Sequence, residues 1–267
     1  MLGLGNNVHA NSYSGSSSWT PASLSNLTLW LAFNQNITAD QAADKSSITH
    51  STTAGDMVDQ DKINAWNAFG DTSINAVQTT EADKPMWEAD AADVGSVNFH
   101  NGSKYMNLSE NIVLDANTDF TIALRFKPDD FTSRVFFGDS TSEFVRLQSN
   151  TVIRLRVNSS NTDFTLASSN IATDKYITLL IVRSDGATGN VNLFVRGADS
   201  GYFDGTATGT QFGSEGQVTG EITLSNLGSS ADDAYNMHGF IKDMLVWDGT
   251  AASSADREQI FDYIEGQ

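Results

Sequence analysis

Hydrophobic and polar positions alternate along this chain in short runs. In residues 27–33, LTLWLAF, an extended backbone puts Leu27, Leu29, Leu31 and Phe33 on one side and Thr28, Trp30 and Ala32 on the other. Residues 119–126, DFTIALRF, repeat the pattern: Phe120, Ile122, Leu124 and Phe126 share a face, with Thr121, Ala123 and Arg125 opposite. Clusters of Gly, Asn, Asp and Ser separate such runs and predict strands at 96–99, 105–108, 134–138, 144–148, 152–157, 163–166, 176–183, 191–196, 221–227 and 240–247. One segment has a helical period. Ser253 is an N-cap candidate with Asp256 three residues on, and Ile260, Phe261 and Ile264 then recur on one face.

Many strands, one late helix and no strand–helix alternation exclude a doubly wound or barrel α/β fold. They predict an all-β antiparallel sandwich with one short C-terminal helix. Its core is expected to hold Leu29, Leu31, Phe99, Phe120, Ile122, Leu124, Leu179, Ile181, Leu193, Val195, Ile241, Leu245 and Trp247. Residues 34–93 are the least regular stretch and are expected to wrap over the sandwich, pinned by Trp66, Phe69 and Trp87, with a helical turn at 40–43. Residues 1–21 are rich in Gly, Ser and Asn and read as a flexible arm ahead of a sandwich domain at 22–267. Leu2, Leu4, Val8, Tyr13 and Trp19 carry more apolar surface than a solvating tail requires. The arm is therefore expected to order against a partner, with Leu2, Leu4, Tyr13 and Trp19 as the contacts.

Charge and composition narrow the partners. With 33 acidic and 15 basic residues the chain carries a net −18, which opposes binding to nucleic-acid phosphates and to anionic membranes. The absence of cysteine removes disulfides, thiolate nucleophiles and zinc–thiolate sites. His9, His50, His100 and His238 have no metal-binding spacing and read as surface or turn residues. The N-terminus has no apolar run of secretory type, so the protein is expected to reach the outside of a cell by lysis or within a larger particle.

The order of segments adds a resemblance. The apolar strand LTLWLAF is followed by KINAWNAFG (62–70), Lys84-Pro85, VNFHNG (97–102) and Tyr105-Met106. DFTIALRF, YITLLIVRSDGATGNVNLFVRGA (176–198) and GFIKDMLVWDG (239–249) then follow before the helix. This succession resembles the concanavalin A-like (laminin G-like) jelly-roll domains of structural proteins from marine tailed bacteriophages. The resemblance spans about residues 22–265 and implies a jelly-roll β-sandwich of the lectin/glucanase type.

Chemistry is sparse. Glu88-Ala-Asp90-Ala-Ala-Asp93 invites comparison with the carboxylate strand of retaining glucanases of the same superfamily, but its third acid is an Asp and it precedes the strand at Val97. It is read as a solvated acidic loop. No nucleophile elbow and no phosphate-cradling loop occur, so no enzymatic activity and no catalytic residue are expected. No cofactor is assigned. The resemblance brings in calcium as a candidate ion, with Asp129, Asp130, Asp139, Asp185 and Asn190 as candidate ligands, yet none forms a dense run of alternating oxygens. Arg154 and Arg156 read as the solvent face of a strand. Loop 197–220, in which seven glycines separate Tyr202, Phe203 and Phe212, is the candidate contact loop for a glycan or a protein.

Together these features predict a non-enzymatic virion protein at the particle surface, a capsid decoration, cement or fibre-type component. It would attach to capsid or fibre-base proteins and bind host-surface glycans. The alternative is a carbohydrate-binding module or glycosidase relative acting on host polysaccharide. A homo-oligomer is compatible with the sequence, though no heptad specifies one.

Overall fold

The computed structural model describes residues 19–32, 35–40, 47–50, 61–88, 95–100, 104–165, 171, 173, 175–184, 188–197, 210–211, 216–230 and 235–266. After a 3-10 turn at Pro21–Ser23 come β1 (Leu27–Leu31), β2 (Ile37–Asp40), β3 (Ser47–His50), β4 (Lys62–Trp66), β5 (Ala76–Val77), β6 (Met86–Trp87) and β7 (Val97–Asn98). The long strands follow: β8 (Met106–Leu114), β9 (Phe120–Pro128), β10 (Arg134–Ser140), β11 (Glu143–Ser149), β12 (Val152–Val157), β13 (Ser160–Thr165), β14 (Ile177–Ser184) and β15 (Asn190–Gly197). The chain closes with β16 (Thr210–Gln211), β17 (Gly216–Gln217), β18 (Ile222–Leu227), β19 (Gly239–Asp248) and helix α1 (Ser254–Glu265). All strand pairings among these elements are antiparallel.

The first sheet runs β1–β19–β9–β14–β15, and its register decides what each face does. Met244, Leu124, Leu179 and Val195 stand in one cross-strand row and enter the main core. The next row, Leu245, Ala123, Leu180 and Phe194, points the other way and is covered by α1. This sheet is apolar on both faces because a helix lies on one and a second sheet on the other.

The second sheet runs β13–β12–β11–β10–β18–β8–β5–β4–β2–β3. β6 and β7 join β4 to β19 and so link the two sheets along one side. Its inner face contributes Val145, Leu147, Ile153, Leu155, Phe164 and Leu224 to the core, and the Phe126 and Phe136 rings meet at 4.4 Å between β9 and β10. Every core residue expected from the alternation is buried.

The helix begins as its sequence dictates. Ser253 Oγ accepts from the Asp256 amide at 3.3 Å, and the Asp256 carboxylate accepts from the Ser253 amide at 2.9 Å. Ile260, Phe261 and Ile264 are buried on the sheet. Arg196 on β15 fixes the other flank by pairing with Glu258 (3.3 Å), Asp262 (2.5 Å) and Glu265 (2.9 Å).

Two expectations need correcting. Residues 34–93 do not merely wrap: β2 to β6 extend the second sheet and carry it across to the first. Asp40 ends a strand and does not open a helical turn, and 41–43 lie outside the described residues. These strands are two to five residues long and rich in Ala, Asn and Thr, so pairing with neighbours sets their conformation more than intrinsic preference does. Trp66 and Trp87 are buried as pins, and Phe69 lies edge-on to Trp30 at 4.7 Å. Trp19, expected as a contact of the arm with a partner or with its own domain, is partly buried. Its ring lies edge-on to Tyr263 of α1 at 6.0 Å, against its own domain, because the neighbouring Pro21 is buried and anchors the chain there.

Candidate functional site

The outer face of the second sheet is built from the side chains that alternate away from the core on β10 to β13 and β18. Register lines them up across strands: Asn161, Arg156, Phe144, Gly138 and Asn226 form one row. The next row is Asp163, Arg154, Arg146 and Val135. Directly opposed side chains of this kind lie close enough to interact. Three of the eight arginines of an acidic chain therefore gather on one sheet face.

The arginines and aromatics alternate as a ladder. The Arg146 guanidinium lies 5.2 Å from the centre of the Tyr235 ring and 4.7 Å from that of Phe144, and Arg156 lies 5.6 Å from Phe144 on β11. These distances suit cation–π attraction, and they explain how Phe144 is only 1% exposed on a face turned away from the core. Tyr235 is 45% exposed, and its segment is fastened by the Val135 amide, which donates to the Tyr235 carbonyl at 2.8 Å. Arg146 Nε donates to Gln148 Oε1 at 2.8 Å, and Gln148 in turn donates to Ser133 Oγ at 3.2 Å. The face thus offers an exposed aromatic ring, planar cations held by stacking, and side-chain amides.

Arg154 and Arg156 differ in their partners. Arg154 grips Asp163 with a two-pronged fork, Nε to Oδ1 at 2.6 Å and Nη2 to Oδ2 at 2.7 Å. That hydrogen bonding holds the Asp163 carboxyl below its usual pKa and raises that of Arg154. Arg156 faces the neutral Asn161 in the same register, and its Nε is buried with no hydrogen-bond acceptor among the described residues.

The sites expected from the sequence fall elsewhere. Leu2, Leu4, Tyr13, Tyr202, Phe203, Phe212 and Asp185 lie outside the described residues, as do His9 and Asp90. The candidate calcium ligands Asp129 and Asp130 are already engaged by side chains of the chain itself. Asp129 pairs with His100, and Asp130 is forked by Arg134, which draws its pKa down to about 2. His238 approaches Asp130 at 3.4 Å, and the His100 and His238 rings stack at 5.1 Å. Asp139 and Asn190 sit on β10 and β15, apart in the pairing order, and no group of three metal-ligating side chains occurs among the described residues. Glu88 is buried and accepts from Asn98 Nδ2 at 2.9 Å, which fixes it as a structural acceptor and not as part of a solvated loop. A polar cleft of about 230 Å³ lies where the β12–β13 turn meets β17, lined by Asn158, Ser160, Thr162, Gln217 and Thr219.

From the sequence Arg154 and Arg156 read only as a strand's solvent face, and alternation alone does not bring Phe144, Arg146 and Tyr235 to them. The Phe-x-Arg of β11 beside the Arg-x-Arg of β12 was the available signal, since both pairs have the spacing of one strand face.

Comparison with known proteins agrees with this architecture. No curated protein sequence matches the chain. Among solved structures, a GH54 α-L-arabinofuranosidase soaked with 4-nitrophenyl α-L-arabinofuranoside is similar with a TM-score of 0.61 at 10% identity, over 91% of this chain and 62% of that one. An arabinofuranosidase complexed with arabinofuranosyl-α-1,2-xylobiose gives a TM-score of 0.60 at 10% identity, over 91% and 61%. The chain spans about three fifths of the length of these enzymes, and at such identity the likeness is one of fold. The family model described as concanavalin A-like lectin/glucanases superfamily matches residues 100–256, more than half of the sequence and the whole run from β8 to the start of α1. This chain belongs to the concanavalin A-like lectin/glucanase superfamily.

Proposed function

We propose that this protein is a non-enzymatic, lectin-like module that recognises glycans on the outer face of its second sheet and works as a surface component of a virus particle. The observation that carries the glycan reading is the ladder Tyr235–Arg146–Phe144–Arg156. It joins an exposed aromatic ring, on which a sugar can stack, to guanidinium and amide donors suited to hydroxyl and acidic substituents. The non-enzymatic reading is supported by Asp163, the carboxylate in the arginine row. Its Arg154 fork keeps it ionised, whereas a general acid needs a raised pKa. The particle role is supported by a segment order that resembles that of phage structural proteins and by a net charge of −18, which suits a mutually repelling surface subunit. In this role the chain docks on capsid or fibre-base proteins.

A glycan array probed with the purified protein and with a Tyr235→Ala, Arg146→Ala variant tests the recognition. Saccharide binding that the double variant loses is expected. A blank array, or binding that the variant retains, contradicts it. Release of reducing sugar from any bound glycan contradicts the non-enzymatic part, and absence of the chain from the proteome of purified particles contradicts the particle role.

A further inference from the structure

We infer that the Arg156 guanidinium seats the carboxylate of a uronic-acid residue in the bound saccharide. This rests on the reading of the outer sheet face as the glycan site. The argument comes from comparing two arginines on one strand. Arg154 and Arg156 are two residues apart on β12 and share a face, and the residues opposite them on β13 are Asp163 and Asn161. At the first position the planar fork is filled side-on by the chain's own carboxylate, with both bonds at hydrogen-bonding length. At the second, the residue opposite in register is an amide, and the guanidinium lies 5.6 Å from the Phe144 ring centre. The Asn161 side chain is exposed and forms no hydrogen bond among the described residues, so displacing it costs little. Arg156 Nε is a buried donor with no acceptor among the described residues, so its guanidinium is not committed to a carboxylate of the chain as that of Arg154 is.

A carboxylate matches the Arg156 guanidinium in charge, planarity and spacing of its two oxygens, as Asp163 demonstrates on Arg154, and seating it requires the side chains that cover Nε to move aside. The ring that bears it would lie along the Phe144–Tyr235 side of the ladder, where the other donors are. A uronate fits this place better than a nucleic-acid phosphate. A chain with a net −18 repels any long polyanion, of phosphates or of uronates, so the fit is to one uronate of a short saccharide at this local cation, with the sugar ring along the aromatic side chains.

The test is calorimetric titration with oligosaccharides of galacturonate, glucuronate, and mannuronate with guluronate, each alongside its carboxyl-reduced neutral counterpart. The full chain is expected to bind at least one uronate series about tenfold or more tightly than the reduced form, the range of one charge-assisted pair. Asn161→Asp places an internal carboxylate before Arg156 and should copy the Arg154–Asp163 pair. It is expected to remove that preference while leaving the melting temperature equal or higher. Arg156→Lys, which keeps the charge but loses the fork, should also remove it, and it serves if Asn161→Asp does not fold. Equal binding of uronate and reduced sugars, or a preference that both variants retain, overturns the inference and leaves the glycan reading standing. Binding of neutral and acidic saccharides alike to be absent, there and on the array, overturns both.

Discussion

Trp247, in the last strand, donates its indole N–H to the carbonyl of Pro21 at 3.1 Å across a buried contact spanning 226 residues. This bond ties the entry of the chain to β19, the strand that pairs with both β1 and β9. Trp247→Phe keeps the aromatic packing and leaves the Pro21 carbonyl without its donor. The variant is expected to lose about 1–2 kcal/mol in urea unfolding. An unchanged midpoint would mean that the entry segment is not held by this bond.

Arg183 is fully buried yet serves four backbone carbonyls. It donates to Thr118 at 2.6 Å, to Gly220 at 2.8 Å, to Val218 at 3.3 Å and to Asp115, and it lies 4.6 Å from the Phe120 ring centre. Burial lowers its pKa, and the carbonyls compensate by holding the loops before β9 and β18 at one end of the sandwich. Arg183→Met strands these acceptors and should cost about 3 kcal/mol or more. Loss of less than about 1 kcal/mol on thermal or urea unfolding would contradict the bracing role.

Much of this architecture is readable from particular residues. Phe120, Ile122, Leu124 and Phe126 alternate strictly, so both the strand and its core face follow from the sequence. Ser253 and Asp256 mark the helix start to the residue. The short strands β2 to β6 are not readable, because Asn64, Ala65 and Ala76 carry no strand preference and are held by neighbours distant in sequence. The candidate site was half visible. Alternation puts Arg154 and Arg156 on one face, but only the register shows that Asp163 opposes the first and Asn161 the second.

Acid should weaken the fold through carboxylates with depressed pKa values, Asp130 and Glu81 foremost. Asp130 is drawn from 3.8 to about 2, chiefly by hydrogen bonding from Arg134, and Glu81 from 4.5 to about 2, chiefly by hydrogen bonding from Lys62 and then Lys84. A pKa lower in the folded than in the unfolded state gives stability that is complete above the unfolded value and lost as pH falls through the folded one. The melting temperature should therefore decline between about pH 5 and pH 2. In an Asp130→Asn, Glu81→Gln variant it should start lower and decline less. A variant whose decline is as steep as that of the parent would place the acid sensitivity elsewhere.

Gly138 stands beside Phe144 in the row that crosses the site. A Cβ there would lie 2.6 Å from the Glu143 carbonyl oxygen and 2.9 Å from Phe144 Cβ, so Gly138→Ala must push β11 away from β10. The substitution is expected to cost about 1–3 kcal/mol and to weaken saccharide binding by displacing Phe144 from between its two arginines. Full stability together with full binding would show that the row tolerates this shift.

The central claim is that glycans meet the outer face of the second sheet. Amide and arginine Nε chemical-shift mapping during titration with an array-positive saccharide tests it most directly. Saturable shifts are expected on β11 and β12, at the side-chain Nε signals of Arg146 and Arg156, and at Tyr235. Shifts confined to α1, to the His100–His238 rim or to the cleft beside Gln217, with β11 and β12 silent, would contradict the account.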